Sequence, residues 1–342
     1  MTLASLPGQP SGAPWPTANW SIDPLPDAHR AGEMVDRVFQ PDGVEAVGET
    51  EALLIVQGGR LRLERYGLGR GPDDTCHSWS MAKSITHALT GLLVGDGRLD
   101  IHAPADAPEW RSPGDPRAAI TVDQLLRMSS GLAFTEAYVP GQASDVIEML
   151  FGRGQADTAA FAAAFPLAHA PGAHWSYASG ATNIVSRRLA DVLGAHGPGF
   201  EDWMQERLFA PLGMTSPIPK FDGAGTFIGS SFCFCTPRDF ARFGLLYLRG
   251  GVWDGRRILP EGWVDHARTP TPQPADTADG PYGAHWWLET AGPGSFSANG
   301  YDGQYIAVAP DLDVIIVRNG RTPLEKKDAL AAWLRTLTDS FR

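Results

Sequence analysis

The sequence predicts an α/β fold of the α+β kind, in which an antiparallel sheet is flanked by N- and C-terminal helices and joined to a helical insertion lobe. Three observations support this prediction. Two β-rich runs flank a Gly-Gly pair within residues 52–66, helical patterns fill the middle of the chain, and a second pair of β-rich runs precedes a C-terminal helix. We therefore expect residues 1–75 and 225–342 to form an α/β domain, and residues 76–224 to form a mainly helical lobe.

The N-terminal part of the chain is predicted to contain an arm, a short helix and a hairpin. Residues 1–28 are rich in Pro, Gly and Ser, which is typical of an extended arm. A short helix is predicted over Ala31–Phe39. The β-rich runs at residues 52–57 and 60–66 are separated by Gly58-Gly59, which suits a type I′ hairpin turn because both central residues need positive φ.

The middle of the chain carries four helix patterns. The first runs from Met81 to Val94 and places its leucines on one face. Residues 121–124 match a capping box and begin the second helix. Two further patterns span residues 181–193 and 239–248, and each is followed by glycine, which commonly ends a helix.

Strands are predicted again near the C-terminus. Residues 303–309 and 313–318 flank Pro310-Asp311, which predicts an antiparallel pair joined by a turn. Thr322 is then predicted to cap a helix whose capping box is completed by Glu325. The apolar stripe of this helix comprises Leu330, Trp333, Leu334 and Leu337.

The composition argues against several classes of function. Hydrophobic residues make up 43% of the chain, enough for a sizeable packed core. The formal net charge of −11, without a cluster of Lys or Arg, argues against a nucleic-acid partner. Because there is no run of about 18 apolar residues and no N-terminal secretory signal, we expect a soluble, cytoplasmic protein that does not associate with a membrane.

The cysteines and histidines predict neither a disulfide framework nor a metal site. The chain has three cysteines, and no second pair accompanies the Cys-x-Cys of residues 233–235. We expect Cys76, Cys233 and Cys235 to be buried free thiols. The nine histidines are scattered, and neither His-Glu-x-x-His nor a P-loop occurs, so we expect no metal and no cofactor.

Ser80-Met-Ala-Lys83 is the sharpest chemical motif. Ser80 lies where an apolar helix begins, and Lys83 lies one turn later on the same face. The positive end of the helix dipole favours an alkoxide, and a desolvated amine can take the hydroxyl proton. The alternative is that Ser80 is a simple N-cap. Lysine, however, opposes the dipole in a first helical turn and is scarce in this chain, which favours a chemical role. The four lysines are Lys83, Lys220, Lys326 and Lys327.

Two further segments carry candidate residues. Tyr177-Ala-Ser179 precedes a predicted helix, and a phenol near a lysine can act as a base or an acid. The alternative is a core tyrosine with Ser179 as a helix cap. Residues 298–304 lead into a strand, where glycines would let a substrate lie against the strand edge and a backbone N–H could serve an oxyanion hole. A plain turn into the strand is the alternative reading.

Together the three segments resemble the motifs of the serine β-lactamase and penicillin-recognising superfamily. The nearer resemblance is to its class C-like serine hydrolases, a branch of esterases and 6-aminohexanoate-dimer hydrolases. It runs from about residue 45 to the C-terminus, in matching order and spacing. Residues 121–131, 236–248 and 251–260 also match the family. The resemblance implies a β-lactamase-like fold with the nucleophile on the first helix of the helical lobe.

The resemblance also implies roles for individual residues. Ser80 corresponds to the acylated nucleophile, and Lys83 corresponds to its activating partner. Tyr177 corresponds to the proton carrier of acylation and deacylation. Ser179 takes the polar third position of the tyrosine motif. The implied oxyanion hole consists of the backbone N–H groups of Ser80 and Tyr301.

The third motif departs from the family pattern at its first position. The family usually has Lys or His there, which in the lactamases helps to hold the substrate carboxylate. This chain has Ala298, followed by Asn299 and Gly300 on the substrate-binding edge. Because a charge-assisted contact is missing, the departure argues against efficient β-lactam hydrolysis. A neutral acyl group, or a linear amide or ester, fits better.

The sequence therefore predicts a serine hydrolase that cleaves a small-molecule ester or amide through an acyl-enzyme on Ser80. A weak β-lactamase, a transesterase or a D-aminopeptidase-like enzyme is one alternative, and a catalytically silent penicillin-binding-protein-like module is another. No Gly-x-Ser-x-Gly elbow occurs, which argues against an α/β-hydrolase. The oligomeric state is left open. Four aromatic residues either line the acyl pocket or fill the core: Trp175, Trp286, Trp287 and Tyr305.

Overall fold

The computed structural model describes residues 3–138, 141–274, 277 and 280–342, and its centre is a six-stranded antiparallel sheet. The strands are β1 (Glu49–Gln57), β2 (Arg60–Tyr66), β3 (Ile218–Pro219), β4 (Cys233–Phe234), β5 (Val252–Trp253), β6 (Arg256–Arg257), β7 (Trp287–Leu288), β8 (Phe296–Gly300), β9 (Gln304–Ala309) and β10 (Val314–Arg321). The order in the sheet is β2-β1-β10-β9-β8-β7. Outside it, β3 pairs with β4 and β5 pairs with β6.

Both predicted hairpins lie in this one sheet. Gly58 and Gly59 have φ of 60° and 72° at the turn between β1 and β2, as the type I′ prediction requires. A 3₁₀ turn over Pro310–Leu312 joins β9 to β10. Because β1 pairs with β10 along its whole length, the N-terminal and C-terminal hairpins share a continuous ladder. The predicted mixed fold with an antiparallel sheet is confirmed.

Twelve α-helices occur in the described part of the chain, and most of them lie between β2 and β7. They are α1 (Arg30–Val38), α2 (Pro41–Val47), α3 (Ala82–Gly95), α4 (Val122–Leu126), α5 (Asp145–Phe151), α6 (Thr158–Ala163), α7 (Ser179–Leu193), α8 (Pro198–Met204), α9 (Ala210–Leu212), α10 (Pro237–Leu248), α11 (Trp263–Arg268) and α12 (Lys327–Asp339). A π-helical turn over Gln205–Phe209 joins α8 to α9. The four helix patterns of the middle region correspond to α3, α4, α7 and α10.

Helices cover both faces of the sheet. One face packs against α1, α2 and α12, through side chains such as Val35 and Leu334. The other face packs against α10, whose Gly244 lies so close that a β-carbon would come within 2.8 Å of Ile306. On this side, one hydrophobic core continues from the sheet into α3, α4 and α7. The division into an α/β domain and a helical lobe at residues 75 and 224 stays a prediction.

The described part of the N-terminal arm follows the free edge of β2. Ile22 forms a parallel bridge with Leu61, and the backbone N–H of Leu25 donates to the carbonyl of Arg62 at 3.1 Å. Earlier in the arm, the carbonyl of Pro16 accepts a hydrogen bond from the guanidinium of Arg242 in α10 at 2.8 Å. The arm thus covers an edge that would otherwise present unpaired backbone groups.

The predicted N-cap of the C-terminal helix is wrong. The Thr322 hydroxyl is buried and donates to the carbonyl of Val47 at 2.7 Å, so it is not available to the helix. A 3₁₀ turn over Leu324–Lys326 comes next, and α12 begins only at Lys327. A tertiary hydrogen bond to the end of α2 has outcompeted the local cap.

The three cysteines lie buried as free thiols. Cys76 and Cys235 face each other in an antiparallel bridge, with backbone N–H···O distances of 2.8 and 3.3 Å. Their segments pass close to the start of α3, so the cysteines belong to the packing beneath that helix. None of the helices in the described part of the chain combines the length and the apolar character that crossing a bilayer requires.

Candidate active site

Ser80 lies in a 3₁₀ turn, Trp79–Met81, that leads directly into α3. The preceding residue, Trp79, has a φ of +43°, a left-handed conformation that costs a non-glycine residue about 1–2 kcal/mol. Ser78 fastens the turn: its Oγ accepts from the backbone N–H of Cys233 at 2.9 Å and donates to the carbonyl of Ser231 at 3.1 Å. The backbone around Ser80 is therefore strained and is held by the core beneath it.

Lys83 lies one helical turn after Ser80 and reaches its hydroxyl. The Lys83 Nζ atom is 3.1 Å from Ser80 Oγ, 2.9 Å from Ser179 Oγ and 2.9 Å from the carbonyl oxygen of Ser230. The side chain is only 2% exposed, and this burial lowers the pKa of the amine from 10.5 to about 8, although the carboxylate of Glu136 opposes the shift. In its neutral form the amine can donate to Ser179 and Ser230 while its lone pair faces Ser80.

Tyr177 and Ser179 come from the start of α7. Ser179 is the first residue of that helix and is buried beside Lys83, whereas Tyr177 lies in the segment just before it. The Lys83 Nζ atom lies 4.9 Å from the centre of the Tyr177 ring. The ring itself packs against Tyr282 and Trp287, with centroid distances of 5.9 and 5.4 Å. The hydroxyl, the amine and the phenol ring of the predicted site are thus brought together from two helices.

Glu136 belongs to this cluster and was missed by the sequence analysis. Its carboxylate accepts hydrogen bonds from the Ser179 backbone N–H and hydroxyl, both at 2.7 Å, and from the hydroxyl of Tyr138. Because the Ser179 hydroxyl also accepts from Lys83, one serine links the carboxylate to the buried amine. Glu136 lies in a loop without periodicity, so nothing in its spacing could have identified it. Ser230 was missed because it contributes only a backbone carbonyl.

Strand β8 brings the third predicted segment to the nucleophile. The strand ends at Gly300, and Tyr301 opens a 3₁₀ turn over Tyr301–Gly303. Asn299 is fixed through both ends of its amide: Oδ1 accepts from the Ser297 hydroxyl at 2.6 Å, and Nδ2 lies 3.3 Å from Thr290 Oγ1. Beside the cavity that Ser80 faces, the end of β8 therefore presents an ordered polar edge.

Gly300 sets the close approach between β8 and the nucleophile turn. A β-carbon at this position would lie 2.4 Å from the carbonyl oxygen of Ser78, a backbone atom that cannot rotate away. We expect Gly300→Ala to displace β8 from Ser80 and to lower kcat/KM for an ester about 10²-fold. Gly280→Ala is the matched control, because Gly280 lines the same cavity and a β-carbon there meets no atom of the described residues within 4 Å. Equal kcat/KM values for the two variants would contradict this assignment.

Buried polar side chains hold α3 in position. The Ser84 hydroxyl donates to the carbonyl of His285 at 2.7 Å, and the His285 ring lies 2.9 Å from the hydroxyl of Thr182 in α7. Further along α3, His87 Nδ1 lies 2.8 Å from the Tyr247 hydroxyl. Burial lowers the pKa of His285 to about 3 and holds that of His87 well below its usual value. Both rings therefore stay neutral, and they fix α3 against its neighbours without adding charge near Lys83.

Ser80 faces a cavity of about 1060 Å³. Three of the four aromatic residues proposed for the acyl pocket do line it, namely Trp175, Trp287 and Tyr305. The proposal is wrong for Trp286, which is fully buried against aromatic side chains of α10. Trp286 lies in the bend just before β7, whereas Trp287 is the first residue of that strand and faces the cavity.

The predicted site residues divide between the cavity wall and the layer behind it. The wall includes Ser80, Tyr177, Asn299, Gly300 and Tyr301, and the buried layer contains Lys83 and Ser179. Ala298 is 1% exposed and packs in the core, so the first position of the third motif contributes no charge to the cavity. The lining cations, Lys327 and Arg335, both come from α12.

A serine hydroxyl, a buried amine of lowered pKa and an adjacent phenol form an arrangement suited to nucleophilic catalysis. The amine can remove the hydroxyl proton. Backbone N–H groups beside the serine can stabilise the negative charge that develops on a substrate carbonyl oxygen. Among the residues that the structure describes, no group of three or more His, Cys, Asp or Glu side chains could hold a metal ion. The contact between Ser80 and the buried Lys83 amine supports the chemistry of an activated serine.

Comparison with known proteins places this site in a family. The model of the Beta-lactamase family matches residues 35–338. The chain is 27% identical over 303 residues to the 6-aminohexanoate-dimer hydrolase of Paenarthrobacter ureafaciens, a match that covers 80% of this chain and 73% of that protein.

Solved structures show the same fold. A Bacillus anthracis protein that is described provisionally as a 6-aminohexanoate-dimer hydrolase matches with a TM-score of 0.76 at 20% identity, covering 94% of this chain and 87% of that one. A family VIII carboxylesterase matches with a TM-score of 0.68 at 15% identity, covering 92% and 98%. Since the family model spans most of the sequence and the fold agrees with it, the chain belongs to the β-lactamase family.

Proposed function

We propose that this chain is a serine hydrolase that cleaves a small ester or amide through an acyl-enzyme on Ser80. The observation that carries the proposal is the 3.1 Å separation of Lys83 Nζ and Ser80 Oγ, together with the burial that lowers the pKa of Lys83 to about 8. Membership of the β-lactamase family supports it, as do relatives named as a 6-aminohexanoate-dimer hydrolase and a carboxylesterase.

Acylation begins with a proton transfer. Neutral Lys83 takes the proton of the Ser80 hydroxyl as Oγ bonds to the carbonyl carbon of the substrate. The carbonyl oxygen becomes an oxyanion that the backbone N–H groups of Ser80 and Tyr301 would bind. Ser80 is the second residue of one 3₁₀ turn and Tyr301 is the first residue of another, positions where an N–H has no acceptor within the turn. When the C–O or C–N bond breaks, the leaving group receives the proton from Lys83 through the Tyr177 hydroxyl.

Deacylation uses the same groups in reverse. One proton passes from a water molecule through the Tyr177 hydroxyl to Lys83 as the water oxygen bonds to the acyl carbon. The two backbone N–H groups again bind the oxyanion. The bond between the acyl carbon and Ser80 Oγ then breaks, and the proton returns to Ser80, which releases a carboxylic acid. The sequence of steps consumes only water and needs no further reactant.

The substrate that fits best has no carboxylate next to the scissile bond. Ala298 replaces the cation that would pair with such a carboxylate, and Glu136, the charged side chain that shifts the pKa of Lys83, is acidic. An anion placed there would lose hydration without gaining the charge-assisted contact that a cation at position 298 would supply. The proposal is therefore a linear ester or amide, with β-lactam hydrolysis weak.

The test compares substrates on purified protein. We expect turnover of p-nitrophenyl esters of increasing acyl length, and little turnover of the β-lactam nitrocefin. A small library of ω-amino amides and lactones then narrows the natural substrate class. Robust nitrocefin turnover would contradict the preference for esters and amides. Absence of turnover on every substrate, combined with no labelling by a fluorophosphonate probe, would instead favour a silent binding module.

Glu136 is expected to set the pH at which the enzyme becomes active. Its negative charge raises the pKa of Lys83, in opposition to burial. Removing that charge in Glu136→Gln should lower the pKa of Lys83, so the acidic limb of the kcat/KM profile should move to lower pH. Glu289→Gln, which changes an exposed carboxylate in the same cavity, is the control and should leave the limb in place. A limb that moves to higher pH in Glu136→Gln would refute this role.

A further inference from the structure

A row of aromatic side chains lies beside the nucleophile at the protein surface. We call it the aromatic strip, and its members in spatial order are Tyr138, Tyr301, Trp79, Phe232 and Phe151. Successive ring centroids along this order are 5.3, 5.8, 5.6 and 6.2 Å apart. These spacings are typical of rings in direct contact, so the five side chains form one continuous apolar surface.

Three of the five side chains of the aromatic strip are exposed, and Trp79 and Phe232 are half-buried. Tyr138, Tyr301 and Phe151 are 36%, 41% and 53% exposed. Ile147, one turn before Phe151 on α5, is 43% exposed. These four make up half of the eight large hydrophobic side chains that are exposed in the described residues. A cluster of exposed apolar side chains is typical of a binding surface.

The middle of the strip lies beside the reacting atoms. Trp79 is bonded to Ser80 through one peptide, and its left-handed backbone sets the direction in which its ring points. Tyr301 supplies the second N–H of the proposed oxyanion hole. Phe232 follows two residues after Ser230, whose carbonyl oxygen holds the Lys83 amine. Any substrate whose carbonyl carbon lies at Ser80 Oγ is therefore close to the rings of Trp79 and Tyr301.

The strip also leads in a different direction from the large cavity. Tyr138 and Tyr301 line that cavity, but Trp79, Phe232 and Phe151 do not. An ester or amide has two halves on either side of its carbonyl carbon. The cavity of about 1060 Å³ can hold one half, and the strip lies open for the other.

We propose that the aromatic strip is a second substrate subsite, which binds an apolar or aromatic substituent of the ester or amide that reacts at Ser80. This inference rests on the proposed function. It narrows the substrate class to compounds with an extended apolar group on at least one side of the scissile bond. The occupant is either the acyl chain or the alcohol or amine part, and the experiment below distinguishes them.

The experiment compares long and short substrates in two series. The acyl series pairs p-nitrophenyl 4-phenylbutyrate with p-nitrophenyl acetate, and the alcohol series pairs 4-phenylbutyl acetate with ethyl acetate. We expect Phe151→Ala to lower the ratio of kcat/KM for the long over the short substrate about tenfold in one series, which identifies the half that lies on the strip. Phe232→Ala should act in the same series. Ile22→Ala, an exposed apolar side chain on the N-terminal arm, is the control and should leave both ratios unchanged.

Several results would overturn the proposal. The proposal is wrong if the Phe151→Ala change leaves the ratio of kcat/KM unchanged in both series. That outcome includes an equal fall in kcat/KM for the long and the short substrate. A shift in oligomeric state on size exclusion with no change in either ratio would assign the strip to an interface between copies of the chain.

Failure of the serine mechanism is distinguished by a binding measurement. If the wild-type protein cleaves none of the four esters, calorimetric binding of 4-phenylbutyl acetate to the Ser80→Ala protein tests the strip by itself. The added Phe151→Ala change is expected to weaken that binding about tenfold. Equal affinity with and without Phe151 would then refute the subsite.

Discussion

Replacing Ser80 by alanine is expected to lower kcat/KM for an ester substrate by about 10³-fold or more, because the acyl-enzyme can no longer form. The fold should be preserved, since Ser80 is half-buried and its hydroxyl has the Lys83 amine as its one side-chain hydrogen-bond partner among the described residues. Ser176→Ala removes an exposed hydroxyl from the same cavity and is the matched control, with an expected activity within a few-fold of wild type. Steady-state kinetics on one p-nitrophenyl ester checks both variants. Comparable losses in the two variants would mean that Ser80 is one polar wall residue among others.

Replacing Lys83 by methionine is expected to lower kcat/KM by about 10²–10⁴-fold, the usual contribution of a general base. Methionine keeps much of the length and volume of the lysine stem but cannot accept a proton. Lys220→Met provides the control, because the Lys220 amine lies 5.8 Å from the centre of the Phe234 ring, whereas Lys83 is the lysine that contacts Ser80 and Ser179. If Lys83→Met retained near wild-type activity, Lys83 would be a structural hydrogen-bond donor only.

The pH profile of the wild type gives an independent test of the same residue. Burial lowers the pKa of Lys83 to about 8, and only the neutral amine can take the Ser80 proton. Activity should therefore rise with pH, change slope near pH 8, and level off above it. This acidic limb should be absent from the residual activity of Lys83→Met. A profile that is flat between pH 6 and 9 in the wild type would argue against a titrating lysine base.

Local patterns predicted the fold well where the chain signals its own structure. The Gly58-Gly59 turn, the capping box at Thr121 and the helix that begins after Ser80 each depend on interactions within a few residues. The same holds for the pairing of β9 with β10 across a short turn. Elements of this kind are fixed by backbone sterics and nearby hydrogen bonds, which the sequence displays directly.

Predictions were less successful where distant segments decide the outcome. Thr322 has the sequence context of a helix cap, but the carbonyl of Val47 takes its hydroxyl. Trp286 and Trp287 are identical neighbours in the sequence. Only the folded structure shows that Trp286 enters the core and that Trp287 faces the cavity. Glu136 joins the site because its loop folds back to the N-terminus of α7, a contact over 43 residues that no local pattern encodes.

The candidate site itself was predicted largely from residue chemistry. A lysine one turn after a serine at a helix start implied proximity, and the structure places the two side-chain atoms 3.1 Å apart. What the motif could not predict was the environment of the amine: the burial that lowers its pKa, the nearby carboxylate that opposes this shift, and the Ser230 carbonyl that accepts its hydrogen bond. Those features depend on the packing of α3 against α7 and on the segment that leads to β4.

The most direct test of covalent catalysis is to react the protein with a fluorophosphonate probe and to map the modified residue by mass spectrometry of its peptides. We expect one adduct per chain, located on Ser80, that forms faster as the pH rises through about 8. We also expect no adduct in the Ser80→Ala protein. An adduct on any other residue, or equal labelling of the Ser80→Ala protein, would show that the reactive hydroxyl lies elsewhere.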